Sequence, residues 1–362
     1  MKINIKNIVV VGIALFLAAC SKESVENQDS RDLITFNVPS SQWNMTTRAK
    51  VLSSMADLQN SNTDVRVTAK YHSDNTTVYF EKERLTYASD EWVIKDYYWI
   101  PDVHLDFFAE VVSGNFNQFP SHITDAAVTS HTFQYTVPTA IANQHDYVYA
   151  VSFDKYREDV PLDFRHALSQ IVFTASVTEN WKVTIQSITI KNVCSAGTFS
   201  YDTGLWTDLD TQDKSYVFTL ASATTFTGQT QPVELLASSS EPSERLVLMP
   251  QTLNPWQPKV GNSRVPITTA DANKLSYVII SCKIQDLNDS NCNYIVGNAS
   301  SYGLVYAPLA GTWEPNKKYI YNLPFGAGYK DTGNKTIEQI TLSATIVDWT
   351  TGNTESGQGK FD

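Results

Sequence analysis

The sequence predicts an all-β chain, two β-sandwich units in tandem behind an export leader. Short alternations of apolar and polar residues follow one another from residue 65 toward the C-terminal end, with turn residues between them. No segment keeps a helical period, and aromatic residues at 12% come with abundant Thr and Val, a composition that suits pleated, half-buried surfaces. At 362 residues the chain is long enough for two domains of ordinary size, each with its own core.

The leader comes first. Lys2 and Lys6 form a short basic region, residues 8–17 an apolar run, and Leu17-Ala18-Ala19-Cys20 the small-residue pattern that ends in a lipidated cysteine. The run is too short to span a bilayer, which needs about 20 apolar residues, so residues 1–20 read as a lipoprotein signal with Cys20 as the acylated residue. Acidic, polar residues 21–32 form a spacer with nothing to bury. Ile34, Phe36 and Val38 then alternate with Thr35 and Asn37, the period of a strand with one buried face, and Pro39 stops it. Beyond it, Thr46-Thr47-Arg48-Ala49 places one basic residue in a Thr-rich linker, where exposed backbone is open to a trypsin-like protease. Taken alone, Arg48 is an ordinary solvated arginine.

The body begins at residue 49. Strands are expected over 65–71, 77–81, 91–94, 104–112, 132–137 and 147–153, separated by turns such as Ser73-Asp74-Asn75 and Ser113-Gly114-Asn115. The charged stretch 154–159, closed by Pro161, marks the expected boundary, giving a first unit over 49–158 and a second over 159–362. In the second unit, strands are expected over 171–177, 182–190, 198–201, 216–220, 233–236, 245–249, 275–284, 292–296, 302–306, 317–323 and 337–349.

A lipobox, one strand, and Thr47-Arg48-Ala49 ahead of a β-rich body resemble the fimbrillins, the type V pilins of Bacteroidales-type bacteria. Two later stretches also resemble that family: Pro161-Leu162-Asp163-Phe164-Arg165-His166-Ala167-Leu168-Ser169-Gln170-Ile171 and Trp313-Glu314-Pro315-Asn316-Lys317-Lys318-Tyr319-Ile320-Tyr321. The resemblance implies two transthyretin-like sandwiches and a lipoprotein held at the outer membrane through Cys20. It also implies cleavage between Arg48 and Ala49 by an arginine-specific protease, which would make Ile34, Phe36 and Val38 a detachable strand within the leader 21–48. Other pilin subunits are the implied partners, each supplying a strand to the next. Ile340, Leu342, Ala344 and Ile346 alternate in the same way, and family stalk pilins donate C-terminal strands, so this segment is the candidate donor; it reads equally well as the last strand of its own domain.

Charge and cysteines narrow the function. Removing residues 1–48 takes away five basic and four acidic side chains, leaving 22 basic against 34 acidic, a net of −12. Nucleic acid is therefore excluded as a partner. Cys282 falls on the inward alternation Val278, Ile280, Cys282, Ile284, and Cys292 begins another with Tyr294 and Val296 across a polar turn. Two readings stand: a disulfide across a hairpin, which export permits, or two small buried thiols.

No enzyme signature is legible. The histidines at 72, 104, 122, 131, 145 and 166 never fall into metal-ligand spacing, so no metal site and no cofactor are expected. No Gly-x-Ser-x-Gly elbow or phosphate-cradling glycine loop occurs. Asp286, Asn288 and Ser290 echo a calcium loop, but Gly297 stands where the bidentate Glu belongs. His166 reads as a hydrogen-bonded packing residue. Trp92, Tyr97, Tyr98 and Trp99 read as core aromatics, with a sugar-stacking platform as the alternative. The sequence thus points to a non-enzymatic pilus subunit serving adhesion at the cell surface. A glycan-binding surface lipoprotein of a nutrient-uptake system is the rival, and it gives the strand before Arg48 no role.

Overall fold

The computed structural model describes residues 32–39, 55–59, 64–74, 76–88, 90–112, 123–124, 131–177, 180–235, 246–257, 259–260, 263–264, 273–288, 290–291, 293–325, 343–348 and 357–358. The described part is nearly all strand. In the first half, β1 (Leu33–Asn37) is followed by one short helix, α1 (Met55–Gln59), then β2 (Asp64–Tyr71), β3 (Val78–Ala88), β4 (Glu91–Tyr98), β5 (Leu105–Val112), β6 (Ile123–Thr124) and β7 (Thr132–Thr136). The middle of the chain carries β8 (Tyr147–Lys155), β9 (Val160–Pro161), β10 (Arg165–His166), β11 (Ser169–Val177), β12 (Trp181–Val193), β13 (Ala196–Ser200) and β14 (Leu205–Thr207). Next come β15 (Lys214–Thr227), β16 (Val233–Glu234), β17 (Leu246–Leu248), β18 (Gln251–Thr252), β19 (Lys259–Val260) and β20 (Ser263–Arg264). The last are β21 (Tyr277–Asp286), β22 (Tyr294–Val296), β23 (Gly303–Pro308), β24 (Thr312–Trp313), β25 (Lys317–Phe325), β26 (Ser343–Asp348) and β27 (Gly357–Gln358).

An eight-stranded sheet in the order β10-β8-β5-β2-β3-β4-β1-β9 organises the first half. The long strand β3 joins its two parts, pairing β2 from Val78 to Leu85 and β4 from Thr86 to Ala88. The sheet rolls back on itself, because the Ser152 hydroxyl on β8 donates to the Pro161 carbonyl on β9 at 2.8 Å. Inside lies a core that includes Ile34, Val67, Phe80, Trp99, Phe107 and Phe164.

The second half stacks a six-stranded sheet (β16-β11-β25-β26-β27, with β17 on β11) and a five-stranded sheet (β15-β12-β21-β22, with β23 on β21) around a larger core. A four-stranded sheet, β14-β13-β7-β6, packs beside them. The sandwich arises from alternation, since β21 buries Val278, Ile280, Cys282 and Ile284 while the residues between them are only partly covered. Side chains of β8 divide between the cores, Val148 and Ala150 joining the smaller, Tyr147 and Tyr149 the larger. The expected boundary at 158/159 therefore falls within a stretch where the chain passes between cores, for Val160, Leu162 and Phe164 still belong to the smaller one.

The two stretches 161–171 and 313–321, whose sequences carry the family resemblance, meet in space. Strands β11 and β25 pair in parallel, Ile171 beside Tyr319 and Phe173 beside Tyr321. Around this pair the Ser169 hydroxyl donates to the Glu314 carbonyl at 2.8 Å, and the Trp313 indole N–H to the Tyr321 hydroxyl at 2.8 Å. Parallel pairing needs a crossover connection, and here the strands between Val177 and Lys317 supply it.

Candidate functional site

The site is the seat of β1. Ile34 is fully buried and Phe36 and Val38 nearly so, whereas Leu33 and Asn37 are exposed, as the alternation requires. The Phe36 ring meets Phe107 edge-on, 5.7 Å between centroids. Three such side chains contribute roughly 5–9 kcal/mol at about 1.5–3 each, an upper bound because unfolded chains are partly collapsed. That is comparable to the whole net stability of a domain, about 5–15 kcal/mol.

Both edges of β1 are taken. On one side it runs antiparallel to β4, with Leu33 opposite Tyr98 and Phe36 opposite Trp92. On the other it runs parallel to β9, with Phe36 beside Val160 and Asn37 beside Pro161. Backbone bonds extend the ladder beyond the strand, Trp99 N–H to the Asp32 carbonyl at 2.9 Å and Leu162 N–H to the Asn37 carbonyl at 2.8 Å.

The segment 156–159 leads into β9 and adds polar contacts. The Thr35 hydroxyl donates to the Asp159 carboxylate, and Arg157 Nε lies 3.7 Å from an Asp32 carboxylate oxygen. Tyr156 fixes the segment from beneath: its ring stacks on His104 at 5.2 Å and its hydroxyl accepts the Asp102 N–H at 3.1 Å. Beside β1 a cavity of about 340 Å³ is walled by Thr35, Val38, Tyr87, Trp92, Glu91 and Asp159, among others. The sequence marks 154–159 only as a charged boundary, and its contact with β1 is missed. The pattern of Val160, Pro161 and Leu162, with its two apolar residues spaced one apart, is the signal that could have revealed it.

Of the other residues singled out in the sequence, Cys20, Arg48, Ala49, Cys292, Ile340 and Leu342 lie outside the described residues. Ala344 and Ile346 lie on β26, opposite Tyr321 and Tyr319 of β25. There Ala344 is buried, Ile346 packs partly against the larger core, and Val347 is buried as well. Cys282 is a fully buried free thiol whose pKa burial pushes up to about 12. Among the described residues no group of three or more His, Cys, Asp or Glu is placed to hold a metal ion.

Trp92 and Trp99 are buried in the smaller core, Tyr97 packs partly against it with its hydroxyl donating to Glu83 at 2.9 Å, and Tyr98 is half-buried. His166 is a buried packing residue, with Nδ1 against the Asp146 carboxylate at 2.8 Å. Glu110 and Lys70 are among the buried charged residues of the described part that went unread in the sequence. Glu110 accepts hydroxyl hydrogen bonds from Tyr147 at 2.6 Å and Tyr201 at 3.0 Å, and Lys70 is 1% exposed with Nζ over the Phe108 ring at 5.3 Å.

A family model described as fimbrillin-like matches residues 47–349. No curated protein matches the chain. Among solved structures, a fimbrial protein from Bacteroides vulgatus aligns with a TM-score of 0.57 at 14% identity, covering 88% of this chain and 99% of that one; it shows a shared fold. The tip fimbrial protein Mfa3 from Porphyromonas gingivalis, with a C-terminal truncation, aligns with a TM-score of 0.39 at 11% identity, over 83% of this chain and 97% of that one. With the family model spanning most of its length, the chain belongs to the fimbrillin-like family, whose members are fimbrial, cell-surface and non-enzymatic.

Proposed function

We propose that this pilus subunit is exported as a lipoprotein through Cys20, carried to the outer membrane, cut between Arg48 and Ala49 by an arginine-specific protease, and polymerised by exchange of strands at the seat of β1. The observation that carries the reading is that β1 precedes Arg48 in the chain yet fills a slot between two other strands. A cut at Arg48 severs its covalent link to the body, so that only non-covalent contacts hold it. An emptied slot exposes apolar surface and two unpaired edges, and an extended strand from another chain repairs both by β-augmentation.

N-terminal sequencing of the protein from sheared surface filaments tests this reading. A sequence starting at Ala49 supports it. Filament subunits that retain residues 33–37 overturn it.

A further inference from the structure

We infer that two polar contacts beside β1, Thr35 with Asp159 and Asp32 with Arg157, fix the register of whatever strand sits there, and that residues 338–344 of another copy carry the matching signature. The inference rests on the strand-exchange reading and goes further, to the residues that select the partner.

Apolar pockets alone do not fix a register. A strand with alternating apolar residues presents the same face after sliding by two, while a slide by one turns that face to solvent. The seat of β1 has three apolar positions in such a row, Ile34, Phe36 and Val38. Something outside the row must separate the two-residue slips. The Asp159 carboxylate, which accepts the Thr35 hydroxyl, and Arg157, 3.7 Å from Asp32, stand at fixed points along the strand. Both belong to the segment that Tyr156 holds against His104 and Asp102.

The chain contains a second copy of this pattern. Asp32-Leu33-Ile34-Thr35-Phe36-Asn37-Val38 and Glu338-Gln339-Ile340-Thr341-Leu342-Ser343-Ala344 agree in type at six of seven places: acid first, Ile-Thr third and fourth, then large apolar, polar and apolar. Only this alignment puts an acid opposite Arg157 and a threonine opposite Asp159. Sliding the second segment by two in one direction puts Ile340 in the acid's place, and in the other it puts Glu338 in the pocket of Ile34. A donating copy gives up its own Ala344–Tyr321 pairing. The seat it enters dictates its direction, antiparallel to β4 and parallel to β9.

The experiment uses the full chain after limited cleavage at Arg48, with labelled synthetic peptides of residues 336–348, and follows release of the β1 fragment by mass spectrometry and peptide binding by anisotropy. The unaltered peptide should displace β1, and the Glu338→Gln and Thr341→Val peptides should bind roughly two- to fivefold more weakly each, the scale of exposed polar contacts. In an Arg157→Glu protein the preference should reverse toward a Glu338→Arg peptide. The register is read independently, since a Ser343→Cys peptide should form a disulfide with a Pro161→Cys protein, the place Asn37 now faces, and a Thr345→Cys peptide should not. Equal binding by all peptides, or cross-linking by both cysteine positions, overturns the register inference and leaves strand exchange standing. If no peptide displaces β1, strand exchange itself fails and the inference with it.

Discussion

The Asp146 carboxylate and the His166 imidazole meet at 2.8 Å with both side chains closed off from solvent. They sit where β10 joins β8, and the His166 backbone N–H also donates to the Asn316 side chain at 3.2 Å. Removing one member of such a pair takes this hydrogen bond from the other inside the core. Asp146→Asn and His166→Ala should each cost about 1–3 kcal/mol in urea unfolding. The double variant Asp146→Leu/His166→Leu should cost less than the sum of the two, because the single variants each lose the same bond.

Phe36→Ala empties a pocket against Phe107. In the uncut chain it should lower stability by about 3–5 kcal/mol. Once the leader has been removed the same substitution should have no effect on the body, since the residue is gone. Denaturation curves of the uncut chain and of the body freed of residues 1–48, compared side by side, make the check.

Lys70 offers a test by pH. Burial lowers its pKa below the usual 10.5, although Asp202, Asp106 and Glu81 pull the other way. Between the folded value and 10.5 the unfolded chain binds more protons, so this group makes stability rise with pH across that window. Lys70→Met should be more stable than the parent at pH 7, by about 1–3 kcal/mol. The gap should narrow as pH approaches 10.5, as thermal melts across that range would record.

Cys282 should resist iodoacetamide at pH 8 in the native protein, because burial holds its pKa near 12. In urea without reductant, peptide mapping should find it labelled, as a free thiol requires. Labelling that appears only after reduction would instead identify a bond to Cys292.

Local patterns made much of this legible. Ile34, Phe36 and Val38 alternate strictly, and they are buried as alternation demands. The strand at Trp181–Val193 extends the expected 182–190 by a few residues, because Trp181 and Val193 at its two ends are themselves buried in the larger core and paired with its neighbours. β3 was legible only in its first few residues: Lys82, Glu83 and Arg84 carry no apolar signal, yet β2 pairs with Glu83 and Arg84, past an irregularity at Lys82. The five-residue helix Met55–Gln59 is too short to show a period. Contacts that decide the site lie beyond any local pattern. Asp159 reaches Thr35 across 124 residues of chain and Asp146 reaches His166 across 20, and nothing in either short stretch names its partner. Nothing local marks Lys70 and Glu110 for burial: the Phe108 ring of β5 lies beneath Lys70, and Tyr147 of β8 and Tyr201, just past β13, meet Glu110.

The bracketing of β1 by β4 and β9 has a mechanical meaning. A force along the strand axis pulls against both ladders at once, so the backbone bonds on its two edges share the load and yield together instead of peeling off singly from one end. Whatever strand occupies that slot is loaded in shear, the stiff direction of a sheet. A fibre joined through such slots would resist stretching by fluid flow far better than it resists a sideways tug at one free edge.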